Sequence, residues 1–175
     1  MKAIRLLLFL GLLPVLLSCG DEDEILFTFN VQEEFFLPAG LNAFTQHVFL
    51  ERNVMSNYGN ILDATDYSDA EVVEVQPGRA QMRGRQGNEF HGHIDELIIR
   101  AVNPDDLSDK IEIFYQDRVR RDESGDLDLF GSTTEVKEWL SRDRLDLEVI
   151  FIFRTVTTQS QDLIFDLEFV AKGDG

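Results

Sequence analysis

The chain has 175 residues, with 33 acidic against 16 basic side chains and a formal net charge of −17. That length fits one domain with a real core, and that charge argues against nucleic acid, which needs a basic footprint. A single cysteine leaves no internal disulfide, so packing must hold the fold, and 14 phenylalanines are available for it.

The first element is a signal. Lys2 and Arg5 place positive charge at the start, Leu6 to Leu17 run without a charged residue, and Ser18 and Cys19 follow. A basic segment, a short apolar run and a small residue before a cut site predict a secretory signal peptide over 1–18. The run falls short of the ~20 residues that a spanning helix needs.

Leu16-Leu17-Ser18-Cys19 resembles the lipobox of bacterial lipoproteins. The resemblance implies a diacylglycerol on the Cys19 thiol and cleavage before it. It also implies anchoring to a membrane through two or three fatty acyl chains such as palmitate, which bind stably where one chain is marginal. Gly20, Asp21, Glu22, Asp23 and Glu24 follow. An acidic run behind the lipidated cysteine resembles the surface-export signal of Bacteroidetes-type lipoproteins. It implies the outer face of the outer membrane, with a periplasm-facing anchor as the alternative. Residues 19–25 then form the lipidated cysteine and its acidic tether, and 26–172 form the domain.

Within the domain, period-2 alternation dominates. Phe27, Phe29 and Val31 alternate with Thr28 and Asn30, and Pro38-Ala39-Gly40 makes a turn. Gln46 to Glu51 reads as a second strand. Residues 53 to 70 break the pattern, with Tyr58, Ile61 and Leu62 as packing points and room for a short helical turn. Val73, Val75, Ala80 and Met82 resume it across Pro77-Gly78, and 83 to 87 read as a hairpin loop.

Phe90, Gly92 and Ile94 then alternate in one phase and Leu97, Ile99 and Ala101 in the other, which predicts a bulge near Asp95-Glu96. Asn103-Pro104-Asp105-Asp106 reads as a turn. Ile111, Ile113 and Tyr115 form a strand, and Leu127 and Leu129 alternate with Asp126, Asp128 and Phe130. Ser132 with Glu135 fits a capping box, and Val136, Trp139 and Leu140 share a face, which predicts one short helix. Leu145 to Phe153 and Leu163 to Ala171 are two long amphipathic strands, read as an antiparallel hairpin. The expected fold is all-β: a single antiparallel β-sandwich of immunoglobulin-like or jelly-roll type.

Candidate chemistry is sparse. His91 and His93 would face one way on a strand and could reach one metal ion, with His47 as a third ligand and Glu96 nearby. Asp122, Ser124, Asp126 and Asp128 alternate in a loop that could take calcium, although Gly125 stands in the fourth position rather than the sixth of an EF-hand loop. Asn103, Asp105, Asp106 and Asp109 make another acidic turn. Arg79, Arg83 and Arg85, and Arg118, Arg120 and Arg121, could grip anionic groups or pair with neighbouring acids. Tyr58, Tyr67 and Trp139 could stack on sugar rings or serve the core.

No G-x-S-x-G elbow, P-loop or G-x-G-x-x-G occurs, and lipid would consume the cysteine. No cofactor other than calcium is indicated. The expected function is a lipid-anchored, non-catalytic binding or structural module of the cell envelope, its partner a protein or a glycan. An accessory subunit of an outer-membrane assembly, or a hydrolase of an extracellular polymer using His91 and His93, are the alternatives.

Overall fold

Alternation of apolar and polar side chains builds strands with one buried face. The computed structural model, which describes residues 24–86 and 91–175, carries eight of them. They are β1 (Glu24–Leu37), β2 (Gln46–Met55), β3 (Glu74–Gly84), β4 (Ile94–Asn103), β5 (Asp106–Gln116), β6 (Leu127–Gly131), β7 (Arg144–Phe153) and β8 (Gln161–Gly173). Two short helices accompany them, α1 (Tyr58–Asp63) and α2 (Lys137–Leu140). Cys19 and the other residues before Glu24, where the sequence predicts a signal and a tether, lie outside the described residues, as do Phe90 and Gly87.

The strands run in the order β1-β8-β3-β6-β5-β4-β7-β2, every neighbouring pair antiparallel. β5 and β6 meet only through Phe114 opposite Gly131 and Tyr115 opposite Phe130. The sheet turns at that narrow corner into two four-stranded leaves: sheet I, β1-β8-β3-β6, and sheet II, β5-β4-β7-β2. Consecutive strands mostly alternate between the leaves, which is the winding of a jelly roll.

The inward phases of the two leaves make one core. Phe29, Val31, Phe35 and Leu37 of β1, Leu163 to Ala171 of β8 and Leu145 to Phe153 of β7 supply much of it. Aromatic rings bridge the leaves: Phe35 lies 5.6 Å from Phe151, and Phe114 lies 5.5 Å from Phe169 in an edge contact. Burying each such side chain contributes roughly 1.5–3 kcal/mol.

Several expectations change. β7 and β8 are not a hairpin: β7 pairs with β2 and β4, β8 with β1 and β3, in opposite leaves. The hairpin expected at 83 to 87 would have to join β3 to β4, and those strands are not neighbours but lie in different leaves. The expected bulge near Asp95 is present as a register shift between Ile94 and Glu96, and β4 and β5 form a true hairpin at Asn103 and Asp106.

The helix at 132–140 is shorter than its sequence suggests. Its first residue is Lys137 and its N-cap is Val136, with no side-chain cap. The Ser132 hydroxyl instead donates to the Glu112 carbonyl at 2.8 Å, and Glu135 accepts from the Lys137 amide. A tertiary partner on β5 took the capping oxygen. The second helix, α1, fills the pattern break after β2, with Tyr58 and Leu62 buried.

Register fixes which loops share an end. Glu24 lies opposite Gly173 and Leu37 opposite Gln161. The β1–β2 and β7–β8 loops therefore lie at the end away from Glu24, about 45 Å along a strand of 14 residues. Thr157 clasps these two loops: its hydroxyl donates to the Pro38 carbonyl and accepts from the Leu41 amide, while its carbonyl accepts from Gly40. At the end near Glu24, Ser56 donates to the Leu140 carbonyl at 2.6 Å, and Lys137 reaches the Asp69 and Val72 carbonyls.

Candidate functional site

The outward phase of sheet I carries an ordered polar row. Register places Gln32 of β1 opposite Asp166 of β8, Asp166 opposite Gln81 of β3, and Gln81 opposite Asp128 of β6. Amide and carboxylate thus alternate across four strands. Gln32 Nε2 donates to Asp166 Oδ1 at 2.5 Å, Gln81 Nε2 to Asp128 Oδ1 at 2.8 Å, and Arg83 Nε to Asp166 Oδ2 at 2.9 Å. Each carboxylate keeps acceptor capacity beyond those bonds.

Beside this row runs a second. Asn30 lies opposite Glu168, and Arg79 lies opposite Phe130. Between Pro77 and Ala80 the β3–β8 register shifts, so Gly78 and Arg79 form a bulge. The bulge is packed tightly. A Cβ on Gly131 would collide with the carbonyl oxygens of Gly78 and Pro77, and a Cβ on Gly78 would meet Glu168 Oε1 at 2.8 Å. A bulge re-aims a side chain, and here it turns Arg79 into the space between the rows. That space is a groove of about 440 Å³, lined by Asn30, Arg79, Gln81, Asp128, Phe130, Asp166 and Glu168 among others.

Phe130 closes one end of the groove. It is 60% exposed and leans on Tyr115 at 6.0 Å. Its position in the wet phase beside Asp126 and Asp128 was the signal in the sequence: a large aromatic where alternation calls for a polar residue. Arg79 is exposed, and among the described residues no ion pair holds its guanidinium. Arg83, Arg85 and Arg120 are paired with Asp166, Glu34 and Asp122.

The histidines sit elsewhere. Residues 91–93 form a turn before β4 rather than a strand. His91 is fully buried, with Nε2 2.8 Å from the Gly125 carbonyl oxygen and its amide on the Glu123 carbonyl, so it fastens the β5–β6 loop. His93 stacks on Phe153 at 5.6 Å, and His47 flanks the same ring at 5.5 Å while reaching the Asn42 carbonyl. An aromatic ring thus lies against both imidazoles. Glu96 sits on β4 opposite Ile152.

In the acidic loop, Asp122 is tied to Arg120, whose hydrogen bond holds that carboxyl below its ordinary value, while Asp128 faces Gln81 on sheet I. Among the described residues no three or more His, Cys, Asp or Glu side chains gather as a metal ion would need. Asp106 accepts from Ser108, and Asn103 donates to Asp109, closing the other acidic turn on itself. Of the candidate sugar platforms, Tyr58 is buried, its hydroxyl on Asp69. Trp139 is half-buried under Arg142, and Tyr67 stacks on Phe27 at 6.3 Å.

No family model and no curated protein matches the chain. Among solved structures, the coat protein of tobacco streak virus aligns over 82% of this chain and 85% of its own, at 8% identity and a TM-score of 0.31. A structure of desmodium yellow mottle tymovirus aligns over 90% and 92%, at 10% identity and a TM-score of 0.28. Similarity that faint carries no argument about this chain; its own strand order defines the architecture.

Proposed function

We propose that this chain is a lipid-tethered envelope protein whose β-sandwich serves as a non-catalytic binding module. The observation that carries the binding reading is the groove across sheet I, where side chains from all four strands converge on one open space. A rigid sheet is a better platform for a fixed array of hydrogen-bonding groups than a loop. The tether reading rests on Leu16-Leu17-Ser18-Cys19 and the acidic run behind it. β1 begins at Glu24, a few residues after Cys19, so an acylated cysteine would hold the sandwich by the end opposite the β1–β2 and β7–β8 loops. The strands would then stand away from the bilayer and sheet I would face sideways, open to a ligand lying along the surface. In this reading the protein sits on the outer membrane, facing the cell exterior.

Growth with a radiolabelled fatty acid tests the tether. Wild-type protein should carry the label and resist extraction by alkaline carbonate, and Cys19→Ser should lose both properties. Wild-type protein that is unlabelled and washes free would overturn the anchor. Protease added to intact cells should degrade the wild-type protein; full protection would move the anchor to the periplasmic face.

A further inference from the structure

The geometry points to a neutral oligosaccharide as the ligand of the sheet I groove, laid across the strands with one sugar ring against Phe130. This deepens the binding-module reading and rests on it. A sugar ring presents two surfaces, a rim of hydroxyls that donate and accept, and a C–H face that packs on an aromatic ring. The groove offers partners for both. Gln32, Asp166, Gln81 and Asp128 alternate donor and acceptor in register over four strands, a span of roughly 14 Å at three inter-strand spacings, and Asp166, Gln81 and Asp128 line the groove itself. Asn30, Glu168 and Arg79 add a second line, and the exposed Phe130 ring stands at its end.

Charge selects among glycans. Asp128, Asp166 and Glu168 line the groove against Arg79, in a molecule of net charge −17. Sulfated and uronic sugars are repelled there. A basic peptide suits the groove less well than a polyol. Asp166 already accepts from Gln32 and from the Arg83 guanidinium, and Asp128 accepts from Gln81, so these carboxylates are held in place as positioned acceptors. Arg79, exposed and in no ion pair among the described residues, would also repel a lysine or arginine side chain, whereas its planar donors suit hydroxyl oxygens.

The experiment is affinity electrophoresis of the detergent-solubilised full chain through gels containing neutral, uronic or sulfated polysaccharides, followed by titration calorimetry with matched oligosaccharides. At least one neutral glycan should retard the protein. Phe130→Ala and Asp128→Ala should each weaken that binding about tenfold, with thermal melting unchanged. Phe44→Ala, on an exposed loop at the far end of the sandwich, should leave it intact. Retardation only by charged glycans, or neutral binding untouched by both groove variants, overturns the assignment. Photo-crosslinking from residue 81 in intact envelopes separates the two levels. A protein adduct abolished by Phe130→Ala keeps the groove as the binding site and removes the sugar. The absence of any adduct, together with the absence of glycan binding, removes the binding-module reading as well.

Discussion

Glu33 shows how a single side chain can oppose the pattern it sits in. Along β1 the inward positions read Phe29, Val31, Glu33, Phe35 and Leu37, so alternation carries a carboxylate to the core side of an edge strand, where it is half-buried. Burial pushes its pKa above the ordinary 4.5, and the charges of Glu51 and Glu34 push the same way. A carboxyl whose pKa is higher folded than unfolded binds its proton more tightly in the folded state. Its stabilising contribution is therefore present below about pH 4.5 and is lost as the pH rises through the folded value. At neutral pH the ionised group works against folding. Glu33→Gln should raise the melting temperature at pH 7 by roughly 1–3 °C, with the gain fading toward pH 4. An equal gain at both pH values would show that ionisation is not the cause. An inward charge on an edge strand also discourages edge-to-edge pairing with another chain, a reason for such a residue to sit there despite its cost.

At the scale of elements, the β3 bulge and β6 depend on each other. Gly131 ends β6 where the Pro77 and Gly78 carbonyls press in, and both obstacles are backbone, which cannot swing aside as a side chain would. Gly131→Ala should therefore force the bulge outward. The expected cost is about 2 kcal/mol, seen as a fall of roughly 4–8 °C in melting temperature, with glycan binding weakened because Arg79 and Phe130 move. Unchanged melting and binding would show that the corner is looser than its packing indicates.

The same region shows what a sequence can and cannot convey about elements. Alternation marked nearly every strand, because burial of one face is written residue by residue. The Asn-Pro-Asp-Asp run marked the turn at Asn103 to Asp106, because turn chemistry is local. Alternation did not say that β7 and β8 part into opposite leaves, since two amphipathic strands look the same whether they pair with each other or face each other across a core. The groove was hidden for the same reason. Gln32, Gln81, Asp128 and Asp166 are scattered over the chain, and only the register of β1, β8, β3 and β6 aligns them. Ser132 was misread as a cap because the competing acceptor, the Glu112 carbonyl, lies 20 residues away.

For the whole molecule, the governing quantity is the surplus of negative charge, −17 over 175 residues. Many of the cations are matched locally: Arg100 and Lys110 share Glu148, Arg154 holds Asp95, Arg142 holds Glu138, and Lys172 lies near Glu74. Most of these pairs have at least one partner in contact with water, and such pairs contribute little, typically under ~1 kcal/mol each. The unmatched carboxylates repel one another over distances comparable with the Debye length, about 10 Å at 0.1 M salt and about 30 Å at 0.01 M. Added salt therefore weakens two opposing contributions, and the larger is the repulsion, because it is summed over a surplus of like charges in the compact state. Melting temperature should rise by a few degrees between about 10 mM and 500 mM sodium chloride, with potassium chloride giving the same curve. A fall over that range would mean that the local ion pairs outweigh the surplus. Glycan binding in the groove should change little over the same range, because a neutral ligand releases no counterions; a steep loss of affinity with salt would instead mark a charged ligand.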